Sequence, residues 1–95
     1  MDYLNELLAG RTVFFNYMQK KYEVHYKSNI FLRDILYAIR SYYESKGKKL
    51  GYGEAEKLAY EFAFQLEKDG QLQLVGKNTW KVNFSLNNAV TELTD

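Results

Sequence analysis

One histidine, no cysteine and twelve acidic residues spread over ninety-five positions leave little from which to build a reaction centre. His25 is the single imidazole, so a hydroxyl nucleophile and its base would have to be assembled around it. It falls between Val24 and Tyr26 in an alternating run, which reads as an ordinary surface position. Metal sites need clustered His, Cys or carboxylate ligands. Glu54 and Glu56 are two apart and cannot share one helix face. The run Gly47-Lys48-Lys49-Leu50-Gly51-Tyr52-Gly53 is glycine-rich but lacks the spacing and the Lys-Ser/Thr pair of a phosphate loop. The expectation is a non-enzymatic protein with no catalytic residue, no metal and no cofactor.

Positive charge is better organised. The formal net charge is +1, yet residues 11–53 carry a balance of +6, residues 54–95 a balance of −3, and residues 1–10 a balance of −2. Arg33, Tyr37 and Arg40 stand at i, i+4 and i+7 and would share one helical stripe. Lys46, Lys48 and Lys49 follow in a loop, and Lys77, Asn78 and Lys81 occupy a hairpin tip and its outgoing strand. Cations so spaced can track successive phosphates, and Lys57 joins them from the outer stripe of the next helix. Leaving Tyr37 aside, these nine residues are the expected DNA contacts. The same side chains would equally serve as a solvated surface.

The elements that position them follow from periodicity. Leu4, Leu7, Leu8, Phe14, Phe15, Met18 and Tyr22 predict a helix over residues 2–22, weakened and open to a break at Gly10. The alternation of Tyr22 to Lys27 predicts a short strand, with Ser28-Asn29 as the N-cap of a helix over 30–45. Residues 46–53 read as a loop, with Gly53 capping the next helix. Ala55, Leu58, Ala59, Phe62 and Leu66 define that helix, which Asp69-Gly70 stops. Gln71–Leu74 and Thr79–Phe84 alternate around a Gly76-Lys77-Asn78 turn and predict a hairpin. Alternation sets Trp80 on the same side as Val82 and Phe84, facing the core. The order is α-β-α-α-β-β, a mainly α chain with a small hairpin (α+β class). The domain covers residues 1–84, and residues 85–95 form a tail or a short final helix.

Nine tyrosines and six phenylalanines exceed what a small core buries, so some rings should meet a partner. Tyr60 and Phe64, one turn apart, together with Phe14 and Phe15, are the expected contacts of a homodimer. The third helix also carries Glu54, Glu56, Glu61, Glu67 and Asp69, a poor set for reading base edges. Its acidic, aromatic character fits an alternative in which it grips a protein partner. The absence of a basic, apolar leader and of a run of roughly 20 apolar residues leads to the expectation of a cytoplasmic protein without membrane contact.

From Asn29 to Phe84 the chain resembles small winged helix-turn-helix proteins of archaeal viruses, phages and plasmid-like mobile elements. The residues that carry the likeness are LAYEFAFQLEKDGQL (58–72) and the wing QLQLVGKNTWKVNF (71–84), where Trp80 is followed by Lys81 and Val82. The likeness is to an architecture rather than to one family. It implies a DNA-binding transcriptional regulator or replication accessory protein, with single-stranded DNA binding as a further alternative. Two features depart from the pattern: the long helix over 30–45, and a connecting loop longer than the usual three or four residues.

Overall fold

Gly10 divides the N-terminal helix in two. In the computed structural model, which describes residues 2–86, α1 spans Tyr3–Ala9 and α2 spans Arg11–Met18. The Gly10 N–H donates to the Glu6 carbonyl and closes α1, while its own carbonyl accepts the first bond of α2 from Phe14. Asp2 caps α1 by accepting from the Asn5 N–H at 3.1 Å. The remaining elements are β1 (Asn29–Phe31), α3 (Leu32–Glu44), α4 (Tyr52–Lys68), β2 (Leu72–Gly76) and β3 (Thr79–Val82). The described residues thus form an α+β arrangement of four helices and one three-stranded antiparallel sheet in the order β1-β3-β2.

The expected strand over Tyr22 to Lys27 does not form. Those residues make a turn in which Val24 is buried in the core and Tyr22 packs partly against it, and Lys27 takes a positive φ of 71°. Ser28 holds this turn: its hydroxyl accepts from the His25 N–H and donates to the Glu23 carbonyl, each at 3.1 Å. The strand comes later, where Ile30 pairs with Trp80. Ser28-Asn29 is therefore not the cap of α3. Phe31 occupies that position without a side-chain bond, and the Leu32 N–H donates instead to the Asn78 carbonyl at 2.9 Å. A hairpin tip thus satisfies the start of a helix.

Both long helices end in the same way. Gly70 (φ +79°) and Gly47 (φ +82°) adopt the left-handed conformation that glycine enters without penalty. Beyond them the Gln71 N–H reaches the Leu66 carbonyl, and the Lys48 N–H reaches the Tyr43 carbonyl, the double closure of a Schellman turn. The connection from α3 therefore leaves through residues 45–51. Helix α4 starts before Gly53, with Gly51 as its N-cap.

The core is aromatic at its centre. Phe14, Phe15 and Phe62 meet with ring centroids 5.4–5.6 Å apart, and Phe84 covers Phe15 at 5.0 Å. Phe14 and Phe15 are completely buried within one chain, so the expectation that they contact a second copy is corrected. The break at Gly10 turns α2 so that both neighbouring rings point inward. Below the sheet, Trp80 and Val82 are buried, as their alternation predicts.

Tyr43 is fully buried, and its hydroxyl donates to Glu6 Oε1 at 2.7 Å. Burial, then the Glu6 bond, hold its phenol proton well above the usual value of 10.0. An unfolded chain releases that proton near pH 10, while the folded chain keeps it. Stability is therefore complete below that pH and falls above it by up to about 1.4 kcal/mol per pH unit for this group. Tyr43→Phe is expected to flatten this alkaline slope in urea titrations taken between about pH 9 and 11. An unchanged slope would exclude Tyr43 as its source.

Candidate nucleic-acid interface

Nine residues stand as candidate DNA contacts, and the fold distributes them over several surfaces. Arg33 lies in the first turn of α3 and Lys77 at the hairpin tip; both are exposed. They line one shallow cleft of about 290 Å³ with Asn78, Tyr52, Glu56 and Phe31. Two bonds create this proximity. One is the Leu32-to-Asn78 backbone bond; the other runs from the Tyr60 hydroxyl to Asn78 Oδ1 at 2.9 Å. Asn78 tolerates the turn through a positive φ of 54°, which asparagine adopts more readily than most residues. The tip is clamped between α3 and α4 instead of standing clear. Two cations, the Asn78 side-chain amide and the exposed rings of Tyr52 and Phe31 share one rim, with Glu56 as its acid.

The other candidates lie elsewhere. Lys81 faces away from the helices, with Asn29 and Gln73 as its cross-strand partners. The Lys46 ammonium sits 4.8 Å from the centre of the Tyr42 ring, over the seam between α2 and α3. Lys57 lies toward α1 in a cleft with Asp2, Glu54 and Glu61, surroundings that disfavour a phosphate. Lys48 is half-buried in the turn that closes α3. Arg40 is half-buried, and its Nε donates to the Leu50 carbonyl at 3.2 Å, holding the α3–α4 loop. It shares a separate cleft with Lys49 and with Lys21, a residue absent from the sequence-based set.

Tyr60 and Phe64 are exposed on α4, Phe64 at 59%. The Lys68 ammonium lies 5.4 Å from the Phe64 ring centre, and Glu67 accepts from the Trp80 indole N–H at 3.2 Å. Leu74 pairs with Trp80 and so points to the helix side of the sheet, yet it is 51% exposed. Val75 bulges out of register beside it and is also exposed. An apolar strip thus runs along the seam of α4 and β2.

His25 is exposed, 3.6 Å from Glu23. Among the described residues no group of three His, Asp or Glu side chains lies close enough to hold a metal ion. Among the described residues no helix is long and apolar enough to cross a membrane. Comparison with protein-family models, curated proteins and solved structures finds no match to this chain.

Proposed function

We propose that this chain is a winged helix-turn-helix domain that binds DNA through phosphate contacts and performs no catalysis. In this reading α3 and α4 form the helical pair, and β2 and β3 form the wing. The observation that carries it is the convergence of Arg33 and Lys77 at the hairpin tip, beside the exposed Tyr52 and the first turns of α4. The sheet order β1-β3-β2, with α4 packed along the hairpin, supports the same reading. Glu54, Glu56 and Glu61 would keep base-edge contacts few. A cytoplasmic role as a regulator or replication accessory protein of a mobile element fits such a domain. Titration of labelled duplex and single-stranded DNA tests it. Duplex affinity is expected to fall by about a hundredfold between roughly 50 and 200 mM salt, as for about three or four phosphate contacts. No duplex binding at the lower salt would reject the proposal.

A second reading rests on the α4–β2 seam. The Asn83 N–H donates to the Gln71 carbonyl, so the in-register Gln73 faces β3 and the N–H and C=O groups of Leu72 and Leu74 point outward. Residues 71–76 carry no charge, and an uncharged edge strand is a ready template for another strand. A second copy of this chain, paired antiparallel at β2, would cover Leu74 and Val75, and the paired strands themselves bring no like charges together. Sedimentation at tens of micromolar is expected to show a dimer, and the double variant Leu74→Lys, Val75→Lys a monomer. A monomeric wild type would remove this reading.

A further inference from the structure

We propose that a second groove along α3 binds a nucleoside phosphate, with its base between tyrosines and its phosphate among three cations. The groove has two adjoining compartments that share Lys21, Tyr37 and Ser41. The first, about 180 Å³, is lined by Tyr17, Met18, Lys20, Tyr22 and Ala38 besides the shared residues. The second, about 350 Å³, gathers Lys21, Arg40 and Lys49, with Glu44 as its acid.

Neither compartment alone would identify a ligand. Three cations would take many anions, and an aromatic slot would take many apolar groups. Side by side they specify a flat ring joined to a phosphate. Stacking on tyrosine is tolerant of base identity because every base presents a π-face. Bases inside a duplex are stacked on each other and cannot enter, so the source is a free nucleotide or a single strand.

The walls are set in advance. The hydroxyls of Tyr17 and Ser41 are hydrogen-bonded to each other, and the Tyr17 ring packs against Tyr42 at 5.3 Å. Arg40 is anchored through Nε to the Leu50 carbonyl, which leaves its two terminal nitrogens for a ligand. Among the described residues the ion pairs are Arg11–Asp69 and His25–Glu23, so Lys21, Arg40 and Lys49 carry none there. Two acids lie near: Glu44 at the cationic end, and Asp34 beside Tyr22, whose phenol pKa is raised first by burial and then by the Asp34 charge. Three cations against one acid still leave the phosphate end positive. The proposal uses other residues than the duplex reading, whose cations lie at the hairpin tip; the two sites adjoin where the Tyr37 ring meets Tyr52, centroids 6.4 Å apart.

The test is an amide NMR titration of the full chain at low salt with thymidine 5′-monophosphate, thymidine, inorganic phosphate and a short oligothymidylate. The monophosphate is expected to shift amides of residues 17–22, 37–41 and 49, binding at least about tenfold tighter than thymidine or phosphate alone. Lys21→Glu with Lys49→Glu should weaken it about tenfold or more, and both side chains are exposed, so the fold should persist. Tyr37→Ala should weaken it by a similar factor through lost stacking. An oligomer that binds much tighter than the monophosphate makes a single strand the source; equal affinity makes it a free nucleotide. No shifts with millimolar monophosphate and none with the oligomer would overturn the proposal. So would shifts confined to other residues, or affinities indifferent to these variants.

Discussion

Trp80→Ala is expected to destabilise the chain by about 3–5 kcal/mol, the usual cost of truncating a large core aromatic. Trp80 is only 4% exposed, sits between Ile30 and Leu74 in the sheet, and lies against α4, where its indole N–H donates to Glu67. The strand it occupies is the central one, so a cavity there weakens both ladders at once. A domain of this size holds about 5–14 kcal/mol in total, so the variant should melt on the order of 20 °C lower. Trp80→Phe keeps most of the buried ring and loses the bond to Glu67. Because Glu67 is only half-buried and stays hydrated, that change should cost about 1–2 kcal/mol. Urea unfolding followed by circular dichroism separates the cases. An alanine variant as stable as wild type would mean that the indole is a surface platform and not a core residue.

Strong periodicity marks where the sequence is legible. Ala55, Leu58, Ala59, Phe62 and Leu66 all lie on the buried face of α4, and Gly70 stops the helix through its positive φ. The hairpin and the burial of Trp80 and Val82 follow from clean alternation. Illegible elements have weaker local causes. β1 is three residues long, too short to display a period, while the alternation of Tyr22, Val24 and Tyr26 imitates one in a turn. The inward fate of Phe14 and Phe15 depends on where Gly10 redirects the chain, which ring counting does not see. The candidate sites depend still more on tertiary structure. Arg33 meets Lys77 because a backbone bond ties Leu32 to Asn78, and Lys21 joins Arg40 and Lys49 because α2 ends beside α3. Charge spacing along one helix predicted Arg33 and Arg40 as a single stripe, but they serve two separate clefts.

Reversing Arg33 and Lys77 together is expected to weaken duplex binding strongly at every salt where wild type binds. Each lost phosphate contact should lower the log–log salt slope by about 0.9, so the pair should remove about 1.8. Glutamate at both positions also adds repulsion, and affinity at about 50 mM salt should fall by roughly a hundredfold or more. The fold should survive, because both side chains are exposed and neither has a side-chain hydrogen bond or ion pair among the described residues. Equal melting temperatures of variant and wild type check this. The glutamine pair, Arg33→Gln with Lys77→Gln, separates lost contacts from added repulsion: it should remove the same slope with a smaller loss of affinity. Lys81→Glu supplies the geometric contrast, since Lys81 lies on the outer face of the sheet, away from the Arg33–Lys77 rim. A much smaller effect there would locate the grip at the rim itself. If the rim reversals leave both affinity and slope unchanged, the tip does not hold DNA, and the apolar seam of α4 and β2 becomes the functional surface.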